Sequence, residues 1–228
     1  MMHRLRPLFL IAAASLTAAW LCFAGNVWAR HRSHASDDRP GDFAYYLLSL
    51  SWSPAYCLSS PGAAECNAPR RFAFIVHGLW PQNERGWPEN CDVRGAVPEA
   101  VVRGMSDLMP ARGLIYHEWS AHGTCSGLGP AEYFALVRRA ASSVTVPREL
   151  ENPTRAMEEP PAAIVAAFQH ANPRFPAQSI VATCTGQSVP RLREVHVCLG
   201  RDLAPRACSA DVIRGGCRAA QVIVPPIR

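Results

Sequence analysis

Apolar runs separated by short polar segments extend along most of the chain and predict a mixture of strands and helices. Runs rich in aromatic and aliphatic residues have the length of buried strands at 43–52, 71–76, 178–184 and 192–199. Apolar residues recur at helical spacing, in some cases after an initial proline, at 98–109, 114–121, 130–142 and 160–170. Loop composition is found at 57–69, at 81–96 and in the cysteine-rich tail after 200. Because strands and helices follow one another without a regular β-α-β alternation, we expect an α+β fold with a mainly antiparallel sheet and flanking helices.

The first 29 residues have the pattern of a secretory signal peptide. Two arginines precede an almost wholly apolar stretch over 7–24, and small residues favour cleavage after Ala29. The alternative is an uncleaved membrane anchor, because about 18 apolar residues approach the lower limit for a membrane span. We expect cleavage, then a flexible segment over 30–41 and a single domain over 42–228. The protein is then periplasmic or extracellular and free of the membrane.

Composition narrows the class of protein. Apolar residues make up 49% of the 228 residues and charged residues 18%, which is typical of a globular domain and excludes a disordered acidic or basic tail. All 23 basic residues are arginine, which excludes a lysine nucleophile, a Schiff base and a P-loop. The formal net charge is +5, and removal of the leader with its two arginines leaves 21 basic against 18 acidic residues, or +3, which indicates a mild preference for polyanions.

The cysteines predict disulfides rather than a metal site. One of the nine lies in the leader, and the other eight are Cys57, Cys66, Cys91, Cys125, Cys184, Cys198, Cys208 and Cys217. An even number fits four bridges formed in an oxidising compartment, with about 105 possible connectivities. No C-x-x-C pair occurs, so a zinc site is disfavoured and we expect no metal.

Two short segments carry the candidate chemistry. In the first, His77 follows a predicted strand and Trp80 is suited to stack on a nucleobase. The same residues also fit a purely structural role, in which His77 caps a core strand beside a packing tryptophan. In the second, Glu118 and His122 are four residues apart and face the same side of a helix, with His117 at its edge. Two imidazoles and a carboxylate suit general acid–base catalysis near neutral pH.

Two alternatives remain for the second segment. One is an amphipathic helix with partly buried histidines. The other is a secreted zinc hydrolase using His117 and His122, but a zinc-protease helix requires H-E-x-x-H and this string is one residue longer.

Cleavage of RNA is a reaction that two histidines can catalyse without a protein nucleophile. The ribose 2′-hydroxyl attacks the phosphate and leaves a 2′,3′-cyclic phosphate.

The strings FIVHGLWPQ and HEWSAHGTCS resemble the two signature segments of the ribonuclease T2 family, and the surrounding residues resemble its bacterial secreted branch. The resemblance spans about residues 43 to 217. It implies an α+β fold and an endoribonuclease that cuts single-stranded RNA, but not DNA, without metal or cofactor. A monomer is expected. A second reading is a weak or inactive RNA-binding member of the same fold.

The resemblance also implies roles for individual residues. His77 matches the general acid, His122 the general base, and Glu118 the carboxylate that stabilises the phosphate. Further matches are a phosphate-binding histidine and three base-contacting residues, namely His117, Trp80, Gln82 and Asn83. The implied disulfides are Cys57–Cys66, Cys91–Cys125, Cys184–Cys217 and Cys198–Cys208.

One position departs from the family pattern. Family members usually carry lysine before the last histidine of the second segment, whereas this chain has Ala121. Losing one such donor costs about 10²–10³ in rate. Either an arginine from elsewhere reaches the phosphate, or His117 alone supplies the charge. Outside the two segments, His196 lies in a predicted strand and is interpreted as structural or surface, whereas Trp87 either lines the site or braces a loop.

Overall fold

The computed structural model describes residues 39–91, 95–186 and 188–227. The predicted signal peptide and most of the predicted flexible segment lie outside these residues. The strands are β1 Tyr45–Trp52, β2 Phe74–Gln82, β3 Met157–Glu159, β4 Ile180–Cys184, β5 Leu192–Leu199 and β6 Val222–Val224. The α-helices are α1 Ser53–Ser59, α2 Glu99–Gly104, α3 Arg112–Ala121, α4 Pro130–Ser142, α5 Arg148–Glu151, α6 Pro161–Ala171 and α7 Ala210–Arg214.

The main sheet has four strands in the order β2-β1-β5-β4, and every neighbouring pair is antiparallel. Strands β3 and β6 form a separate antiparallel pair. The predicted α+β class with a mainly antiparallel sheet is therefore confirmed. No helix in the described part of the chain is long and apolar enough to cross a membrane.

The two faces of the main sheet differ in depth of packing. One face carries Leu48 and Trp52 of β1 and packs in the main core with apolar residues of the helices, including Phe134 and Phe168. The other face belongs to a smaller cluster around Leu47. This second face is only partly covered, so it is where polar side chains lie within reach of solvent.

Several predicted boundaries were wrong. Strand β2 continues through His77 to Gln82, whereas the sequence pattern predicts its end at residue 76. The prediction fails because a β-bulge interrupts the alternation of side chains within the strand. The loop composition of 57–69 conceals the end of α1 and a 3₁₀ turn, and the tail after 200 contains α7 and β6. Short elements of this kind form because disulfides and neighbouring strands hold them, not through local propensity.

Four disulfides join the eight cysteines of the described residues. They are Cys57–Cys66, Cys91–Cys125, Cys184–Cys217 and Cys198–Cys208, the same pairs that the resemblance implies. Cys91–Cys125 connects the segment after β2 to the 3₁₀ turn after α3. It thereby fastens the two candidate segments to each other.

Candidate active site

A β-bulge in β2 brings His77 and Trp80 to the same face of the sheet. Ser49 of β1 pairs with Gly78, and the next residue, Leu50, pairs with Val76, so His77 is the extra residue. In a regular strand, side chains three residues apart point to opposite faces. The bulge reverses this parity, and the His77 and Trp80 rings lie with centroids 5.3 Å apart.

Gly78 leaves the space that Glu118 occupies above the strand. A Cβ at Gly78 would lie 1.9 Å from Glu118 Oε2 and 2.4 Å from Trp80 Nε1. Without that atom, Trp80 Nε1 donates a 2.7 Å hydrogen bond to Glu118 Oε2. The carboxylate is 1% exposed, and its Oε1 lies 3.5 Å from His77 Nε2.

Helix α3 ends at Ala121, directly before His122. The backbone N–H of His122 donates to the Glu118 carbonyl, which continues the last helical turn and keeps both residues on the site. Trp119 anchors the helix by burying its ring and donating Nε1 to the Gly95 carbonyl at 2.9 Å. The His122 ring lies 5.2 Å from the Trp80 ring, between centroids.

Glu194 reaches the site from β5, two strands away from β2. Its Oε1 lies 2.6 Å from His77 Nδ1 and its Oε2 lies 3.0 Å from His196 Nε2. Strands β2 and β5 flank β1, so their backbones are about 10 Å apart. The β1 residues between them are the small Ser49 and Ser51, which pair with His196 and Glu194. Small side chains on the middle strand let the longer ones meet above it.

Burial favours the uncharged form of both Glu118 and His122, so it shifts their pKa values in opposite directions. Burial raises the pKa of Glu118 to about 7, although the His77 charge and the Trp80 hydrogen bond lower it. Burial lowers the pKa of His122 to about 4, helped by the charges of His117 and His77. The His122 Nδ1 atom is buried without a hydrogen-bond partner, which further disfavours its protonated form.

His77 has the opposite tendency. Burial lowers the pKa of His77, but the hydrogen bond to Glu194 and the charges of Glu194 and Glu118 raise it above its ordinary value. His122 therefore loses its proton at a lower pH than His77 does.

Two cavities lie on either side of the histidine pair, each with a volume of about 340 Å³. The first, here called the Trp80 cavity, has lining residues that include Trp80, Gln82, Trp87, His122 and His196. The second, here called the His117 cavity, has lining residues that include Ser51, Tyr56, Leu114, His77 and His117. Both volumes suit a small ligand such as a nucleotide.

Four of the predicted site residues lie together, and the other three are separate from them. His77, Trp80, Glu118 and His122 form one connected cluster. The remaining predicted residues are placed differently: Gln82 lines the Trp80 cavity, His117 lines the His117 cavity from the exposed side of α3, and Asn83 lines neither, its N–H donating to the Gly86 carbonyl.

Sequence reasoning missed two residues of the site. His196 was interpreted as structural or surface, but it lines the Trp80 cavity and binds Glu194, which was not singled out at all. The available signal was the alternation of titratable and apolar residues along 194–197, which puts Glu194 and His196 on one face. Nothing local indicates that this face meets His77.

The described residues bring no three histidine, cysteine, aspartate or glutamate side chains together in an arrangement that could hold a metal ion. His117 and His122, the pair of the zinc alternative, line different cavities.

Comparison with known proteins identifies the family. The model of the ribonuclease T2 family matches residues 43–208. A ribonuclease of Aeromonas hydrophila is 32% identical over 174 residues, which cover 71% of this chain and 74% of the relative. The RNase-related protein of Calystegia sepium has a TM-score of 0.64 at 23% identity, covering 81% of this chain and 98% of its own. RNase NT in complex with 5′-AMP has a TM-score of 0.63 at 22% identity, with 81% and 99% covered.

The chain belongs to the ribonuclease T2 family and is a T2-type endoribonuclease. The structural likeness supports the fold, and the sequence match supports the activity.

Proposed function

We propose that this endoribonuclease cleaves single-stranded RNA by transphosphorylation to a 2′,3′-cyclic phosphate, which it then hydrolyses without a metal ion. The observation that carries the proposal is the cluster in which the His77 and His122 rings both lie beside Trp80 and the buried carboxyl group of Glu118. Their surroundings shift the pKa of His77 up and that of His122 down. Such a pair supplies an acid and a base at the same pH, which is what this reaction requires.

In the first step, neutral His122 removes the proton from the ribose 2′-hydroxyl. The 2′-oxygen attacks the adjacent phosphorus, and the bond from phosphorus to the 5′-oxygen breaks. His77 donates its proton to that leaving 5′-oxygen. The roles follow the shifted pKa values, because the base must begin neutral and the acid must begin protonated.

In the second step, the same groups act in reverse. Neutral His77 removes a proton from water, the water oxygen attacks the cyclic phosphate, and protonated His122 returns a proton to the 2′-oxygen. The product is a 3′-phosphate. The low pKa of His122 makes its protonated form a strong acid for this return.

Glu118 stabilises the charge on the non-bridging oxygens. With a pKa of about 7, it is largely protonated in mildly acidic solution, so its carboxyl group donates a hydrogen bond to an oxygen that becomes more negative in the transition state. His117 adds a donor from the neighbouring cavity. Ala121 offers no such donor, and within the described part of the chain no arginine lines either cavity.

The two cavities fit the nucleotides on either side of the scissile phosphate. Trp80 and Trp87 supply aromatic faces, and the exposed fraction of Trp87 is 52%. Stacking of this kind favours unpaired bases, since duplex RNA keeps its bases stacked on one another. DNA lacks the 2′-hydroxyl that attacks, so we expect it not to be cut.

The compartment is part of the proposal. Four disulfides are stable in the periplasm or outside the cell, and the leader directs export to one of these. We expect the mature chain to act there as a monomer.

The test compares an RNA oligonucleotide with its DNA twin. The oxidised mature protein is incubated with each in EDTA over a pH series, and the 3′ ends are identified. We expect cyclic phosphate ends from RNA alone, with intact RNA in the His122→Ala variant. Loss of cleavage in EDTA would favour the zinc hydrolase, and cut DNA would contradict the mechanism.

A second candidate rests on Ala121, which removes a transition-state donor. It is a weak or inactive RNA-binding member of the same fold. Intact RNA at every pH, with RNA still bound, would support this candidate, and Ala121→Lys would then be expected to raise activity.

A further inference from the structure

The Glu194 carboxylate contacts two imidazoles at once. Its Oε1 lies 2.6 Å from His77 Nδ1, and its Oε2 lies 3.0 Å from His196 Nε2. The Glu194 side chain is 5% exposed, so water competes poorly for these two contacts. The roles assigned above use His77 but neither Glu194 nor His196.

Acceptor chemistry decides which ring nitrogens carry hydrogen. Burial raises the pKa of Glu194, but hydrogen bonds from His196 and His77 hold it well below its usual range, so the group is an anionic carboxylate. An ionised carboxylate only accepts hydrogen bonds. His77 Nδ1 and His196 Nε2 must therefore both be protonated.

We propose that Glu194 is a positioning residue for RNA cleavage, which holds the proton of His77 on Nδ1 and orients His196 so that its Nδ1 is the nitrogen presented to a ligand in the Trp80 cavity. This inference rests on the proposed function, because it assigns His77 Nε2 as the atom that exchanges a proton with RNA.

The arrangement serves both chemical steps without rotation of the ring. When His77 is protonated, Nε2–H is the donor for the leaving 5′-oxygen. When His77 is neutral, Glu194 retains the hydrogen on Nδ1 and leaves Nε2 as a bare acceptor for the proton of water. The other tautomer would carry hydrogen on Nε2 and could not act as the base.

His196 completes the pair. Its Nε2 is bound to Glu194, so Nδ1 is the nitrogen that remains for a ligand in the Trp80 cavity. The His196 ring lies 5.7 Å from the Trp80 ring, between centroids, beside the face on which a base would stack. Within the described residues the lining of this cavity contains no arginine, and His196 supplies an imidazole nitrogen there.

Other titratable or charged groups lie beside this cluster on β5, on α3 and directly after α3. On β5, Arg193 Nε lies 3.9 Å from Glu194 Oε2, and its charge lowers the pKa of His77. On α3, Glu118 Oε1 lies 3.5 Å from His77 Nε2 and raises that pKa. Past the end of α3, the pKa of His122 is lowered by the His77 charge. Replacing Glu194 by an uncharged residue removes its hydrogen bond and the larger of the two charges that raise the pKa of His77, so that pKa falls.

The first test needs no substitution. Nitrogen-15 NMR of the imidazoles in the intact oxidised protein reports which nitrogen is protonated. We expect His77 Nδ1 to stay protonated throughout the titration of its ring and His196 Nε2 to do the same. A neutral His77 ring with a bare Nδ1 would overturn the proposal, whatever the activity of the protein.

The second test is Glu194→Gln. The amide has the shape of the carboxylate but accepts at one atom and donates at the other, so it does not accept from both histidines. We expect kcat to fall about 10- to 100-fold, which is part of the contribution of a general acid, with KM raised by no more than in His196→Gln, because the His196 ring is still present but no longer oriented. The basic limb of the pH profile moves to lower pH. Glu194→Asp, which keeps the charge, restores part of the activity.

Two matched controls separate positioning from general damage. Asp107→Asn makes the same carboxylate-to-amide change in an exposed ion pair with Arg138, outside the cluster of His77, Glu194 and His196, and is expected to leave the pH profile unchanged. His196→Gln raises KM about tenfold through the loss of one charge-assisted hydrogen bond, whereas the exposed His170→Gln leaves KM unchanged.

The outcomes also separate this inference from the proposed function. If the wild-type protein cuts RNA and Glu194→Gln behaves like Asp107→Asn, the positioning role is wrong and the ribonuclease mechanism stands. If the wild-type protein leaves RNA intact, the mechanism is wrong. The imidazole titrations of wild type and Glu194→Gln then still decide whether Glu194 sets the His77 tautomer.

Discussion

At the scale of single residues, burial and one carboxylate make two chemically identical side chains different. His122 is buried with an unpartnered Nδ1, which lowers its pKa to about 4. His77 has Glu194 behind it, which raises its pKa despite burial. The proposed acid and the proposed base are therefore distinguished by their surroundings, as in other sites where two groups of one type take opposite roles.

This difference predicts a bell-shaped pH profile for kcat/KM. Activity rises with pH through about 4, as His122 loses its proton. It falls again above the ordinary histidine value of 6.5, as His77 loses its own. Initial rates on a short RNA at constant ionic strength measure both limbs. An acidic limb near 6.5 would contradict the assignment of His122 as base.

A second prediction at this scale concerns Gly78. In Gly78→Ala, the new Cβ would meet Glu118 Oε2 and Trp80 Nε1 at distances that no packed structure tolerates, so both side chains must move. A displacement of about 1 Å costs about 10²-fold in rate. We expect kcat to fall by about that factor, measured by RNA cleavage.

Gly104→Ala is the matched control for this substitution. A Cβ at Gly104, the last residue of α2, meets nothing within 4 Å. We expect unchanged kcat and equal or higher stability, since alanine favours helix. If both alanine variants were fully active, the close approach of Glu118 to the strand would be irrelevant to catalysis.

At the scale of secondary-structure elements, β1 determines what its neighbours can do. It lies between β2 and β5, and its Ser49 and Ser51 stand beneath the contact between His77 and Glu194. The bulge in β2 turns His77 towards that contact. The catalytic geometry thus depends on a middle strand that is small on one face and large and apolar on the other.

Substitution of Ser49 tests this dependence. Ser49 is 0% exposed, and its Oγ has no hydrogen-bond partner in the described structure. Ser49→Ala removes an unsatisfied hydroxyl, so we expect unchanged activity and a free energy of unfolding equal to or about 1 kcal/mol above wild type.

Ser49→Val adds bulk at the same position and is expected to separate His77 from Glu194. We expect kcat to fall at least about tenfold, because the general acid is misplaced, and stability to fall by about 1–3 kcal/mol through overpacking. Chemical denaturation and RNA cleavage measure the two effects. Equal kcat in the alanine and valine variants would show that β1 does not set the contact.

At the scale of the whole molecule, the site depends on connections between distant parts of the chain. The Cys91–Cys125 bridge and the hydrogen bond from Asn90 N–H to the Ala121 carbonyl hold the end of α3 to the segment after β2. The Trp80 cavity, lined by His122, and the His117 cavity, lined by His77, thereby keep their positions relative to each other.

Removal of this bridge is expected to affect both stability and activity. Cys91→Ala/Cys125→Ala opens a loop with a sequence separation of 34, and Cys184→Ala/Cys217→Ala opens one with a separation of 33. The similar loop lengths predict a similar loss of about 4 kcal/mol for each pair. Thermal denaturation measures this loss.

RNA cleavage below both melting temperatures distinguishes the two variants. We expect the first to lose more activity, because only its bridge lies next to His122. Equal activity losses would indicate that the Cys91–Cys125 bridge contributes stability alone and does not orient the site.

The sequence by itself determined the α+β class, the principal strands and helices, and the two segments that contain His77, Glu118 and His122. These features are local. Strand and helix periodicity is set within a few residues, and the signature segments hold their chemistry within short windows.

Only the tertiary structure decided how the acid is held. Glu194 and His77 are 117 positions apart, and their meeting depends on strand order, on the bulge in β2 and on the small residues of β1. The alternation of side chains places Glu194 and His196 on one face of a strand, but it does not indicate that this face meets His77. Burial likewise separated the pKa values of His77 and His122, because burial is a property of the folded chain and not of a residue type.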